Sequence, residues 1–143
     1  MAIVVSNKTN ISNFVQGNVR PVISISAATT LTTAESGSIV TVGKGAAYTI
    51  TMPAPTTAGL EFHFVGGAVA ANIVDIACGA GLLDGVVMNV GGAPPAAAVL
   101  AAAASANARF LAASVIGDWL TLRSDGTHWK VSGASSVVGF GFS

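Results

Sequence analysis

Apolar and polar residues alternate with a period of two along most of the chain. The cleanest case is residues 60–65, where Leu60, Phe62 and Phe64 share one face and Glu61 and His63 the other. That period belongs to a strand with one buried face. Further short strands are expected at 22–25, 29–32, 38–42, 48–52, 71–76, 86–90 and 109–116. Turn signals separate them: Glu35-Ser36-Gly37, Gly43-Lys44-Gly45, Gly66-Gly67 and Leu82-Leu83-Asp84-Gly85. Pro53 and Pro55 halt the strand that starts at Tyr48, because proline has no N–H for a ladder. Near the end, Trp119, Thr121 and Arg123 alternate with Leu120 and Leu122, Ser124-Asp125-Gly126 supplies a turn, and Thr127, Trp129 and Val131 alternate with His128 and Lys130. This is a hairpin with one indole on each strand, placed where cross-strand pairing could use both. Evenly spaced strands of this kind predict an all-β protein, a single β-sandwich or jelly-roll-like domain.

Three stretches depart from the rhythm. Residues 1–21 are Asn-rich and poor in alternation, and are expected to form an extended amino-terminal arm preceding a sandwich over 22–143. Ile3, Val4, Val5, Phe14 and Val15 in that arm are candidate contacts to a neighbouring subunit or a larger lattice. Residues 91–107 form an Ala-rich insertion, within which 96–104 carries the highest helix propensity of the chain and predicts a helical turn or two. The tail from Ser135 is apolar, uncharged and spaced by glycine, so Phe140 and Phe142 are expected either in a final strand or against a neighbour.

Composition narrows the possible partners. Of 143 residues 52% are hydrophobic, while six are basic and six acidic. Ordinary domains are about a quarter charged, so this surface is unusually neutral and prone to self-association. With no Lys/Arg stripe, a phosphate-tracking nucleic-acid partner is not expected. No membrane partner is expected either: the one long apolar stretch, 96–116, is mostly Ala and carries Arg109 in its middle. The single Cys78 has no disulfide partner within the chain and reads as a small buried hydrophobe.

Little in the sequence resembles a catalytic centre. His63 and His128 lie apart on outward strand positions, no Cys/His/Asp cluster has ligand spacing, and the acidic residues are scattered, four beside glycine or turn signals. No catalytic residue, metal or cofactor is expected, and the protein is read as a non-enzyme. An alternative ligand patch would combine His63, His128 and Trp129.

Two segments resemble known sequence. Gly117-Asp118-x-Leu120-Thr121-Leu122-x-Ser124-Asp125-Gly126-Thr127-x-Trp129-x-Val131 is similar to a recurring segment of small β-domains in bacteriophage virion proteins, found in tail fibres and in head decoration (cement) proteins. Tyr48-Thr49-Ile50-Thr51-Met52-Pro53-Ala54-Pro55, followed by residues 59–65, resembles the companion segment. The resemblance spans roughly residues 29–132 and implies a virion structural protein. A small domain with an arm, a tail and little charge then suggests a capsid decoration protein, made in the host cytoplasm and bound at the capsid surface. The resemblance implies a homotrimer whose partners are itself and the major capsid protein. The alternative is a tail-fibre or spike module that binds host-surface glycan.

Overall fold

A computed structural model describes residues 19–67, 72–90 and 98–143, with the backbone alone given for 98–104. The expected contacts Ile3, Val4, Val5, Phe14 and Val15 lie outside the described residues. The rest forms two mixed sheets packed face to face, a β-sandwich, and no α-helix occurs among the described residues.

The chain alternates between the sheets through its first seven strands. Strands β1 (Val22–Ile25), β3 (Ile39–Val42) and β5 (Glu61–Gly66) lie parallel in the larger sheet. Strands β2 (Thr29–Thr30), β4 (Tyr48–Thr51) and β6 (Val74–Ala77) lie parallel in the smaller one. Strand β7 (Leu83–Asn89) returns to the larger sheet, but not beside β5. The gap is filled by the predicted hairpin, β10 (Trp119–Ser124) and β11 (Trp129–Ser135), with β10 antiparallel to β5 and β11 parallel to β7. Strands β9 (Asn107–Phe110) and β12 (Phe140–Phe142) complete the smaller sheet beside β6.

The central strands of the two sheets bury one parity of residue. Phe62 and Phe64 of β5, Leu120 and Leu122 of β10, and Trp129 and Val131 of β11 face Ile50, Val74, Ile76 and Phe110 of the other sheet. The rings of Phe62 and Trp129 meet edge to face, with centroids 5.9 Å apart. Such pairs add about 1 kcal/mol beyond the burial of their area.

Several expectations change. The helical turn expected at 96–104 is a strand, β8 (Ala98–Ser105), antiparallel to β7 from Asn89↔Ala98 to Leu83↔Ser105. Alanine's helical advantage is at most about 0.7 kcal/mol per residue over ordinary residues, and a ladder along seven-residue β7 outweighs it. The strand expected over 109–116 ends at Phe110, and residues 111–118 form a loop. Phe140 is 1% exposed and meets Phe110 edge to face at 5.0 Å, and half-buried Phe142 packs on the same core. Alternation around Gly141 turns both rings toward the core, so the tail takes the first of its two expected places, a final strand. The two indoles fall on opposite faces: Trp119 pairs with Ala134 and points outward, while Trp129 pairs with Ser124 and points inward.

Two buried polar devices hold the loops at one end of the sandwich. Lys44, within the expected turn Gly43-Lys44-Gly45, is fully buried and donates from Nζ to Leu111 O (2.8 Å), Ser114 O (3.0 Å) and Ser114 Oγ (2.7 Å). Asp118 accepts from Val115 N, Ser135 Oγ, Ser136 N and Ser136 Oγ at 2.7–3.2 Å. Together they bind the 111–118 loop to β3's exit and to the end of β11.

Cys78 is buried, and that burial pushes its thiol up to about 12. Only thiolate reacts readily, so native protein is expected to resist thiol reagents near neutral pH and to label fully in denaturant. Labelling of the folded protein at the rate of a free thiol would contradict this placement.

Candidate functional site: the outer face of the larger sheet

The registers of β5, β10, β11 and β7 hold their outward residues level, so three rows cross the sheet. The first is charged: Glu61, Arg123, Lys130 and Asp84. The second runs His63, Thr121, Ser132 and Val86. The third runs Val65, Trp119, Ala134 and Met88. Alternation turns the other parity inward, so a local pattern on each strand becomes a surface only through the pairing.

The charged row is paired throughout. Arg123 Nε donates to Glu61 Oε2 (2.9 Å), its Nη2 reaches the same oxygen, and Arg20 Nη2 donates to Oε1 (3.0 Å). The Arg123 hydrogen bond, with help from Arg20, lowers the pKa of Glu61. Arg20 also donates to Gly37 O, anchoring the last residues of the expected arm to the sheet. Lys130 Nζ meets Asp84 (2.9 Å) and Asp125 (3.3 Å), and the bond to Asp84 is the first cause of its raised pKa. At the hairpin tip, Asp125 Oδ1 accepts from Thr127 N, Thr127 Oγ1 and His128 N, each at 2.8 Å. These bonds hold its carboxyl well below the usual range. The Ser124-Asp125-Gly126-Thr127 turn is therefore a backbone-capping device.

His63 shares a hydrogen bond between Nδ1 and Thr121 Oγ1 (2.8 Å) and lies against Trp119, with centroids 5.5 Å apart. Partial burial lowers its pKa below 6.5, Arg20 adds to the shift and Glu61 opposes it. Between that lowered value and 6.5 the unfolded chain binds the extra proton more readily, so stability falls as the solution is acidified. Glu61, depressed below 4.5, adds a second loss at lower pH. The melting temperature is expected to drop on acidification below 6.5, and His63→Gln should flatten the first part of that drop while leaving the second. Identical profiles for the two proteins would refute the assignment.

The proposed ligand patch of His63, His128 and Trp129 is not assembled. Trp129 is fully buried, donating from Nε1 to Pro53 O (3.2 Å). His128 sits at the hairpin tip beside Thr127, whereas His63 lies in mid-strand. Among the described residues no group of three His, Cys, Asp or Glu side chains converges as a metal site would require. Among the described residues the exposed tryptophan is Trp119, which the expected patch did not include. The signal was present, since Trp119 has the opposite parity to Leu120 and Leu122 while Trp129 shares parity with Val131.

Beyond Trp119 the face becomes apolar. Val90, Ile116 and Ala134 line a shallow concavity with Gly117 and Trp119, and Met88 stands beside Ala134 across the β11–β7 pair. Ile116 is 65% exposed, Val90 55% and Met88 47%. No protein-family model matches the chain, and no curated protein matches it.

Proposed function

We propose that the protein is a structural component of a bacteriophage virion, a decoration protein that binds the head surface as an oligomer and reinforces the capsid lattice. The carrying observation is the apolar shelf of Met88, Val90 and Ile116 at one end of the larger sheet. Soluble monomers seldom display contiguous apolar surface without a use for it, and such patches mark interaction sites. Of the shelf, Ile116 stands on the loop pinned by Lys44 and Asp118 and Met88 on strand β7, so its shape is set before a partner arrives. A chain with six basic and six acidic residues also suits contacts within a neutral lattice. The resemblance of residues 48–65 and 117–131 to virion β-domains supplies the biological setting, with a homotrimer and the major capsid protein as partners. Burying the shelf would contribute about 25 cal/mol per Å² of apolar surface before ordering costs.

The deciding measurement is copy number per purified virion, by quantitative mass spectrometry against the major capsid protein. A simple stoichiometric ratio to that protein is expected. A few copies per particle would favour the tail-fibre or spike alternative, and absence from virions would sink both. On capsids lacking the protein, Ile116→Asp and Val90→Asp variants with unchanged melting temperatures are expected to be retained poorly. Retention equal to that of the native protein would remove the shelf from the mechanism.

A further inference from the structure

We infer that the groove along β11, on the outer face of the larger sheet, is a subsite for a neutral saccharide with the Trp119 indole as its stacking platform. Shape is the first argument. The outward residues of β11 beyond Lys130 are only Ser132 and Ala134, while Trp119 and Arg123 rise beside them on β10. The resulting groove of about 360 Å³ is lined by Glu61, Trp119, Thr121, Arg123, Lys130 and Ser132. It is open along the sheet, which suits part of an extended chain better than an enclosed cofactor.

Chemistry is the second argument. Trp119 is 37% exposed at one end of the groove, held on one side by His63. An indole offers an apolar face to the C–H face of a pyranose ring, and this combines apolar area with polar surroundings. The hydroxyls of Thr121 and Ser132 lie in the next row, and the Arg123–Glu61 pair in the row after it. Arg123 uses Nε and Nη2 on Glu61 and its side chain is 67% exposed. A guanidinium carries five N–H donors, so donors remain for sugar hydroxyls.

Charge selects among ligands. The cations bordering the groove, Arg20, Arg123 and Lys130, are matched by Glu61, Asp84 and Asp125, so the face has no excess charge to attract phosphate or an acidic glycan. Neutral saccharide is the class that uses an aromatic platform, hydroxyls and a balanced ionic pair together. For a single open subsite a dissociation constant on the order of millimolar is expected. The groove lies on the Arg123 side of Trp119 and the apolar shelf on the other, so the inference does not depend on the virion reading.

The test is a two-dimensional amide NMR titration of the full chain with maltotriose, cellotriose and N-acetylchitotriose. The two indole N–H signals provide an internal comparison, since Trp129 Nε1 is locked onto Pro53 O in the core. At least one sugar is expected to shift the Trp119 indole and the Thr121 and Ser132 amides saturably, leaving the Trp129 indole in place. Trp119→Ala and Arg123→Ala should each weaken that binding by about tenfold or more in protein that keeps the native fold, read from an unmoved Trp129 indole signal. Sialyllactose should bind no more tightly than lactose. A Trp119 signal unmoved by all three neutral sugars would overturn the site, as would native-like binding by Trp119→Ala. Tighter binding of sialyllactose would overturn the neutral assignment. None of these results alters the copy number per virion, so the two readings fail separately.

Discussion

Replacing Lys44 with Met is expected to destabilise the protein by about 3 kcal/mol, a fall of about 10 °C in melting temperature for a chain of 143 residues. The Lys44 side chain is fully buried, and its three shortest bonds, 2.7–3.0 Å to Ser114 Oγ, Leu111 O and Ser114 O, account for its three ammonium protons. Burial lowers its pKa and the nearby Asp118 only partly offsets this, so bringing the charge inside is itself costly. The loss on substitution is nevertheless large, because carbonyls oriented toward a cation are left without a donor. Chemical denaturation of Lys44→Met and Ser114→Ala would measure it. Ser114→Ala removes one acceptor and should cost about 1 kcal/mol. Equal stabilities for Lys44→Met and native protein would show that the loop closes without the ammonium. Because the same loop carries Ile116, Lys44→Met is also expected to weaken retention on capsids beyond what the stability loss explains.

Gly85→Ala should cost at least as much, about 3 kcal/mol or more. Gly85 adopts φ +134° in mid-strand, and an added Cβ would lie 2.1 Å from Val131 O and 2.8 Å from Val131 N. The contact is with backbone on the partner strand, so relief requires separating β7 from β11, and the register shift between β7 and β8 begins at this point. Gly37→Ala provides the contrast: φ is +89° there, but nothing lies within 4 Å of the added atom. That substitution carries only the conformational cost, about 1–2 kcal/mol. Denaturant titrations of the two variants therefore separate backbone strain from steric exclusion, and equal losses would show that the clash at Gly85 relaxes freely.

The candidate face illustrates how far local pattern reaches. Its strands were legible because an outward residue sits between inward ones: Glu61 and His63 between Leu60, Phe62 and Phe64, and Thr121 between Leu120 and Leu122. The same rule assigns Trp119 outward and Trp129 inward, yet the expected patch joined Trp129 to His63, which lies on the opposite face of the sheet, and to its chain neighbour His128. Assembly of rows required knowing that β10 lies between β5 and β11, which no pattern within β10 specifies. Lys44 was opaque for a similar reason. Between two glycines it has the local signature of an exposed turn, and the carbonyls that bury it belong to a loop near residue 112.

What the residue pattern determined by itself was the set of elements with a period of two: the strand at 61–66, the hairpin at 119–135, most other strands to within a few residues, and the parity each one buries. Those features depend on alternation and turn chemistry over a handful of neighbours. Only the tertiary structure decided that the first seven strands alternate between sheets, that the hairpin enters between β5 and β7, and that an Ala-rich segment is a strand. Phe140 likewise joined the core of its own chain. Each of these outcomes turns on backbone groups and apolar faces far apart in sequence finding partners. A segment's own preferences, worth tenths of a kcal/mol per residue, yield when unpaired strand edges and open core surface elsewhere cost more.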